Sequence, residues 1–122
     1  MIYSDSVTPL AALGLSTHVL NTATGDPAAD MKVRFQSLEG GVWIDRHESR
    51  TDADGRAHGF SKGPLGAGNF RLIFDAGSWF AQRGQDCFFP QVTIEFKASD
   101  SNRHHHVPLL LSPFGYSTYR GS

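Results

Sequence analysis

Six imidazoles are the side chains of this chain best suited to moving protons near neutral pH: His18, His47, His58, His104, His105 and His106. The adjacent triplet invites a metal reading, but strand geometry speaks against it. Along a strand His104 and His106 share one face while His105 points the other way. No carboxylate lies close in sequence to complete a ligand set, and Cys87 is isolated. We therefore expect a polar strand edge with one or two functional members and no metal. His18 sits in the middle of Leu15-Ser16-Thr17-His18-Val19-Leu20, where a hydrogen-bonded core histidine is the ordinary alternative to a functional one. His106 poses the same question beside Val107-Pro108-Leu109-Leu110-Leu111. Two imidazoles brought together on apolar strands would favour the neutral form, through desolvation and mutual repulsion. A neutral imidazole can take a proton from water, which general base catalysis requires.

Arg56 closes the loop Asp52-Ala53-Asp54-Gly55-Arg56, where it is either a solvated cation paired with Asp52 or Asp54, or a binding group. The acidic stretch is too short for a twelve-residue calcium loop and lacks that loop's final Glu. Ser16, Ser112 and Ser117 have no Gly-x-Ser-x-Gly context, so a serine-hydrolase elbow is not expected. Neither a phosphate loop nor a dinucleotide fingerprint is present.

The elements that must position these groups are strands. Leu15, Thr17 and Val19 alternate with Ser16, His18 and Leu20. Met31, Val33 and Phe35 alternate with Lys32, Arg34 and Gln36, and Val92, Ile94 and Phe96 with Thr93, Glu95 and Lys97. Gly40-Gly41, the Asp52–Arg56 loop and the glycines at 63, 66 and 68 punctuate them. Further strands are expected over His104–Leu111 and Tyr116–Arg120. The one helix is expected over Ser78–Arg83, with Ser78 as its N-cap and Gly84 at its end. Seven or eight short strands predict an all-β, two-sheet β-sandwich. In Val107–Leu111 both faces are apolar, which predicts cover by a second subunit that Tyr116 and Tyr119 would extend.

The 122 residues fit one domain with a real core. Hydrophobic residues make up 39% and charged residues 19%, a globular balance. A net charge of -1 disfavours a global electrostatic grip on nucleic acid. A single cysteine excludes an internal disulfide, and no apolar run is long enough to span a bilayer. The N-terminal residues lack the basic and long apolar regions of a secretory signal, so cytoplasmic residence is the default expectation. We expect residues 1–14 to form an N-terminal extension and 15–122 the domain, with an aromatic C-terminal stretch packed on it.

Two long stretches carry a family resemblance. Leu15-Ser16-Thr17-His18-Val19-Leu20-Asn21, followed by Gly25-Asp26-Pro27-Ala28, resembles the N-terminal signature of the transthyretin-like family. The run from His104 through Val107-Pro108-Leu109-Leu110-Leu111-Ser112-Pro113-Phe114-Gly115-Tyr116-Ser117-Thr118-Tyr119-Arg120-Gly121-Ser122 resembles its C-terminal signature. Within that family a Tyr-Arg-Gly-Ser ending marks the 5-hydroxyisourate hydrolases (HIUases) and is lacking in the hormone-carrying transthyretins. Asp54-Gly55-Arg56 and Phe88-Phe89-Pro90 fall in the family's order.

The resemblance implies two four-stranded sheets with one short helix, a homotetramer built as a dimer of dimers, and sites at the interface between dimers. It implies hydrolysis of 5-hydroxyisourate to 2-oxo-4-hydroxy-4-carboxy-5-ureidoimidazoline without a metal or organic cofactor. It also implies a site of His18, Arg56, His106 and Ser122, with Arg56, Tyr119, Arg120 and Gly121 on the substrate. His106 is selected because the family's histidine directly precedes a Val-Pro or Ile-Pro step. The middle triplet residue, often Tyr in the family, is His105 here. Which histidine is the base, and whether Arg120 binds substrate or anchors the tail, stay open. The rival implication is a small-ligand carrier without catalysis.

Overall fold

The computed structural model describes residues 14–99 and 103–121. The expected extension over residues 1–14 lies outside the described residues apart from Gly14, and so does Ser122. The described chain runs β1 (Leu15–Asn21), β2 (Asp26–Pro27), β3 (Lys32–Glu39), β4 (Val42–Arg50), β5 (Arg56–Ala57) and β6 (Gly68–Phe74). It continues through α1 (Ala76–Ala81), β7 (Val92–Ala98), β8 (His105–His106), β9 (Leu109–Ser112) and β10 (Gly115–Thr118). One sheet has the order β4-β3-β6-β7, all antiparallel. The other has the order β10-β9-β1-β2, with β5 and β8 also paired to β1.

Period-two patterning explains the sandwich. Leu15, Thr17 and Val19 on β1 and Leu109 and Leu111 on β9 are buried, facing Val33 and Phe35, Leu72 and Phe74, and Val92 and Ile94 of the second sheet. Phe74 and Phe80 are fully enclosed. The opposite side of β1 carries Ser16, His18 and Leu20, each only half-buried.

Expectations on element boundaries and on strand number need correction. The strand expected over His104–Leu111 is broken into β8 and β9, because Pro108 offers no N–H to the ladder. The carbonyls at the break are satisfied by hydroxyls instead: Thr17 Oγ1 donates to Val107 O at 2.6 Å and Thr118 Oγ1 to Pro108 O at 2.7 Å. The last strand is Gly115–Thr118, one sheet is six short pieces, and ten strands are described in place of seven or eight. The helix starts before Ser78, with Asp75 in the N-cap position and no side-chain cap. Buried Ala76, Trp79 and Phe80 form its inward face at the three-and-four spacing, and that packing sets its start. The Gly84 N–H closes its end on Ala81 O at 3.0 Å.

The loop leading to Arg56 is tightly built. Asp52 accepts the main-chain N–H of Asp54 at 2.9 Å and of Arg56 at 3.0 Å. These bonds, that from Arg56 first, hold its carboxyl below the usual carboxylate range. Gly55 has φ +78° and packs against β1, its carbonyl accepting the Val19 N–H at 2.7 Å. A Cβ there would meet the Val19 carbonyl oxygen, which is backbone and cannot swing away. Gly55→Ala is therefore expected to destabilise the protein by about 1–2 kcal/mol, from the left-handed backbone alone. A lowered urea midpoint with an unchanged m-value checks this.

Candidate active site

The register of three short pairings gathers the polar groups. β1 pairs in parallel with β8, setting Ser16 beside His106 and Leu15 beside His105. On β1 the antiparallel pairing with β5 sets His18 beside Arg56 and Thr17 beside Ala57. Directly paired residues share a face, as do residues two apart on one strand. Ser16, His18, Arg56 and His106 therefore lie together on the outward face, while Leu15, Thr17, Ala57 and Val107 are buried on the inward one. His105 turns inward as well, its ring tilted against Phe96 with centroids 6.3 Å apart. Its Nδ1 is buried with no hydrogen-bond partner among the described residues.

His106 is the hub. Its Nδ1 lies 2.8 Å from Ser16 Oγ, and the same oxygen lies 2.7 Å from His104 Nε2. Burial lowers the His106 pKa below its usual 6.5, followed by the positive charge that His104, Arg56 and His18 bring to bear. Acceptance by the Ser16 main chain acts weakly in the opposite sense. The net result is an imidazole held neutral.

Arg56 is exposed, and none of the ion pairs among the described residues engages its guanidinium. Asp52 takes its main-chain N–H instead. The pairing with Asp52 or Asp54 is thus absent among the described residues, and the planar fork has no partner there.

The C-terminal stretch reaches His106 through its main chain. Gly121 N donates to His106 O at 2.8 Å and forms an isolated antiparallel bridge with it. A Cβ on Gly121 would lie 2.5 Å from His106 Cδ2, so only glycine lets the tail press on the ring. The stretch is packed through the β10–β9 pairing, this bridge and the Phe89–Tyr116 contact, while the side chains of Tyr119 and Arg120 are exposed. A cavity of about 400 Å³ opens between β7 and this stretch, lined by His104, His106, Tyr119, Arg120 and Gly121 among others. His18 and Arg56 do not line it but flank His106 on the outward face.

Two members of this cluster, Ser16 and His104, were not selected by sequence reasoning. The sequence offers Ser16 only as a hydrolase nucleophile, and His104 as a metal ligand or a member of a polar strand edge. A signal existed, since Ser16 stands two residues before His18 and His104 two before His106. It becomes informative only when the β1–β8 register is known. Among the described residues no group of three or more His, Cys, Asp or Glu side chains converges as a metal site.

A two-sheet sandwich with one short helix and an outward cluster of imidazoles and guanidinium defines a transthyretin-type fold bearing a polar site. The chain belongs to the HIUase/Transthyretin family, whose model matches residues 15–121. It is 45% identical over 113 residues to the 5-hydroxyisourate hydrolase of Caulobacter vibrioides, covering 89% of this chain and 98% of that one. The solved structure of Klebsiella pneumoniae 5-hydroxyisourate hydrolase matches with a TM-score of 0.79 at 41% identity, over 88% of this chain and 97% of that one. Sea bream transthyretin in complex with thyroxine matches with a TM-score of 0.82 at 28% identity, over 88% and 93%. The backbone is thus shared by enzyme and carrier, and side chains must distinguish them.

Proposed function

We propose that this chain is a hydrolase that opens the ring of 5-hydroxyisourate to give 2-oxo-4-hydroxy-4-carboxy-5-ureidoimidazoline. The observation that carries the reading is the placement of His18, Arg56 and His106 on one outward sheet face, with the guanidinium unpaired among the described residues. A pocket for an apolar ligand has no use for two imidazoles and a free cation. Relatives with 5-hydroxyisourate hydrolase activity in their names, at 40–45% identity, support the same substrate.

In this reading His106 is the base. It is held neutral and fixed at Nδ1, so Nε2 is the nitrogen left to meet water. Water loses a proton to Nε2 as its oxygen attacks a lactam carbonyl of the ring. Arg56 steadies the oxyanion or the substrate's own negative charge through its planar fork. The His106 imidazolium returns the proton to the leaving nitrogen, while His18 of β1, paired with Arg56 of β5, orients the water. Tyr119, Arg120 and Gly121 close the substrate side, and the Ser122 hydroxyl polarises an imidazole or the water.

Several coarser features go with this assignment. A homotetramer, a dimer of dimers with the site completed between dimers, would cover the exposed side chains of Phe88, Phe114, Tyr116 and Tyr119. These gather around β10, tied to the 84–90 loop by Phe88 N–H to Pro113 O at 2.7 Å and by the Phe89–Tyr116 contact. A cytoplasmic enzyme accords with Cys87 being a free thiol. Residues 1–14 are an extension outside the catalytic domain. Among the described residues no helix is long and apolar enough to cross a membrane.

The deciding assay generates 5-hydroxyisourate from urate in situ and follows its ultraviolet decay with and without protein. Acceleration over the spontaneous blank is expected, and a rate equal to the blank overturns the assignment. The pH profile adds a directional test. Because the neutral imidazole is the active form and its folded pKa is lowered, the acid limb of kcat/KM is expected below pH 6.5. The same lowering gives stability that is present above pH 6.5 and is lost as pH falls through the folded value. An acid limb above 6.5 would remove His106 as the base.

A further inference from the structure

We infer that Ser16 and His104 form a hydrogen-bond relay that sets the tautomer of His106, placing its proton on Nδ1 and leaving Nε2 unprotonated. The inference deepens the hydrolase reading and rests on it for the identity of the base. The contact geometry stands independently: one hydroxyl oxygen sits 2.7 Å from His104 Nε2 and 2.8 Å from His106 Nδ1.

A serine hydroxyl has one hydrogen to donate and two lone pairs to accept with. Both neighbours here are imidazole nitrogens, so the direction of the chain decides which nitrogen of His106 carries hydrogen. If Ser16 donates to His104 Nε2, it turns a lone pair toward His106 and accepts from Nδ1–H. The Nε2 lone pair of His106 is then free. If Ser16 donates to His106 Nδ1 instead, the ring must carry its proton on Nε2 and cannot act as a base there. His104 matters because it gives the Ser16 hydrogen somewhere else to go.

Charge beside the ring favours the productive direction. Arg56 and His106 lie on the same outward face through their pairings with β1, and a lone pair turned toward a cation is better tolerated than an N–H. The relay also follows the proton through the reaction. When Nε2 gains a proton, the imidazolium donates more strongly from Nδ1 to Ser16, and Ser16 to His104. Apart from the Nε2–H bond formed with the proton released by water, only these hydrogen bonds change. Ser16 and His104 are accordingly positioning residues, since they act through His106.

Nitrogen-15 NMR of the wild-type protein in the absence of substrate, above its acid limb, tests the assignment directly. The expected result is a His106 with hydrogen on Nδ1 and a bare Nε2. Ser16→Ala should mix the tautomers and lower kcat on the order of 10- to 100-fold, the usual cost of losing a partner that orients a working histidine. Ser16→Thr, which keeps the hydroxyl, should restore most of the rate. His104→Ala should move His106 toward the Nε2–H form, whereas His104→Gln, whose amide oxygen accepts from Ser16, should hold the wild-type tautomer. A wild-type His106 with its proton on Nε2 would overturn the relay. So would Ser16→Ala and His104→Ala variants that leave both tautomer and kcat unchanged. A protein inert toward 5-hydroxyisourate but showing the expected tautomers supports the relay while removing the substrate assignment.

Discussion

His106→Asn is expected to lower kcat/KM for 5-hydroxyisourate by about 100- to 10,000-fold, the range that general base catalysis contributes. The amide of asparagine can still hydrogen-bond to Ser16, but it takes no proton near neutral pH. Stability and subunit composition should survive the change. His106 is only half-buried and its backbone, not its ring, carries the β1–β8 ladder and the bridge to Gly121. The variant should therefore melt close to the wild type and elute at the same size. Ultraviolet decay of freshly generated 5-hydroxyisourate, corrected for spontaneous decay, measures the loss. A variant of wild-type activity would exclude the base assignment. One that fails to fold would mark His106 as a structural histidine of the core.

Arg56→Gln is the second large effect. Because the guanidinium has no carboxylate partner among the described residues, removing it strands no buried charge. The main-chain N–H that Asp52 uses is unaffected by the substitution. Stability should change by less than about 0.5 kcal/mol, as for other surface sites. Activity should not be spared. Loss of a donor aimed at developing negative charge costs about 100- to 1,000-fold in kcat. The split between constants locates the interaction: a fall in kcat places Arg56 at the oxyanion, whereas a rise in KM alone places it on the ground-state anion. Arg56→Lys keeps the charge and loses the planar fork, so an intermediate rate is expected. An Arg56→Gln enzyme indistinguishable from wild type would make this a solvated loop residue after all.

The two substitutions also separate catalysis from carriage. Transthyretin and hydrolase relatives share the sandwich to similar TM-scores, so fold similarity alone does not choose between them. A carrier's ligand occupancy would respond to both changes without any turnover to lose.

The strands were legible from sequence because burial has a period of two. Leu15, Thr17 and Val19 are inward as their alternation requires, and Val92 and Ile94 likewise. Gly55 was legible too, since a tight Asp-Gly loop calls for positive φ, and it has φ +78°. The break in the last long strand was foreshadowed by Pro108, whose missing N–H is a local property. The helix start was not, because α1 begins where Ala76, Trp79 and Phe80 find the core, and that choice belongs to packing. The grouping of His18, Arg56 and His106 came from resemblance and not from spacing, and it acquires a physical basis only in the register of β1 with β5 and β8. Ser16 and His104 show the limit most plainly. Alternation along one strand says which residues share a face, but not which residue of a strand nearly ninety positions away stands beside them. Only tertiary pairing decides that, and with it which nitrogen atom Ser16 can touch.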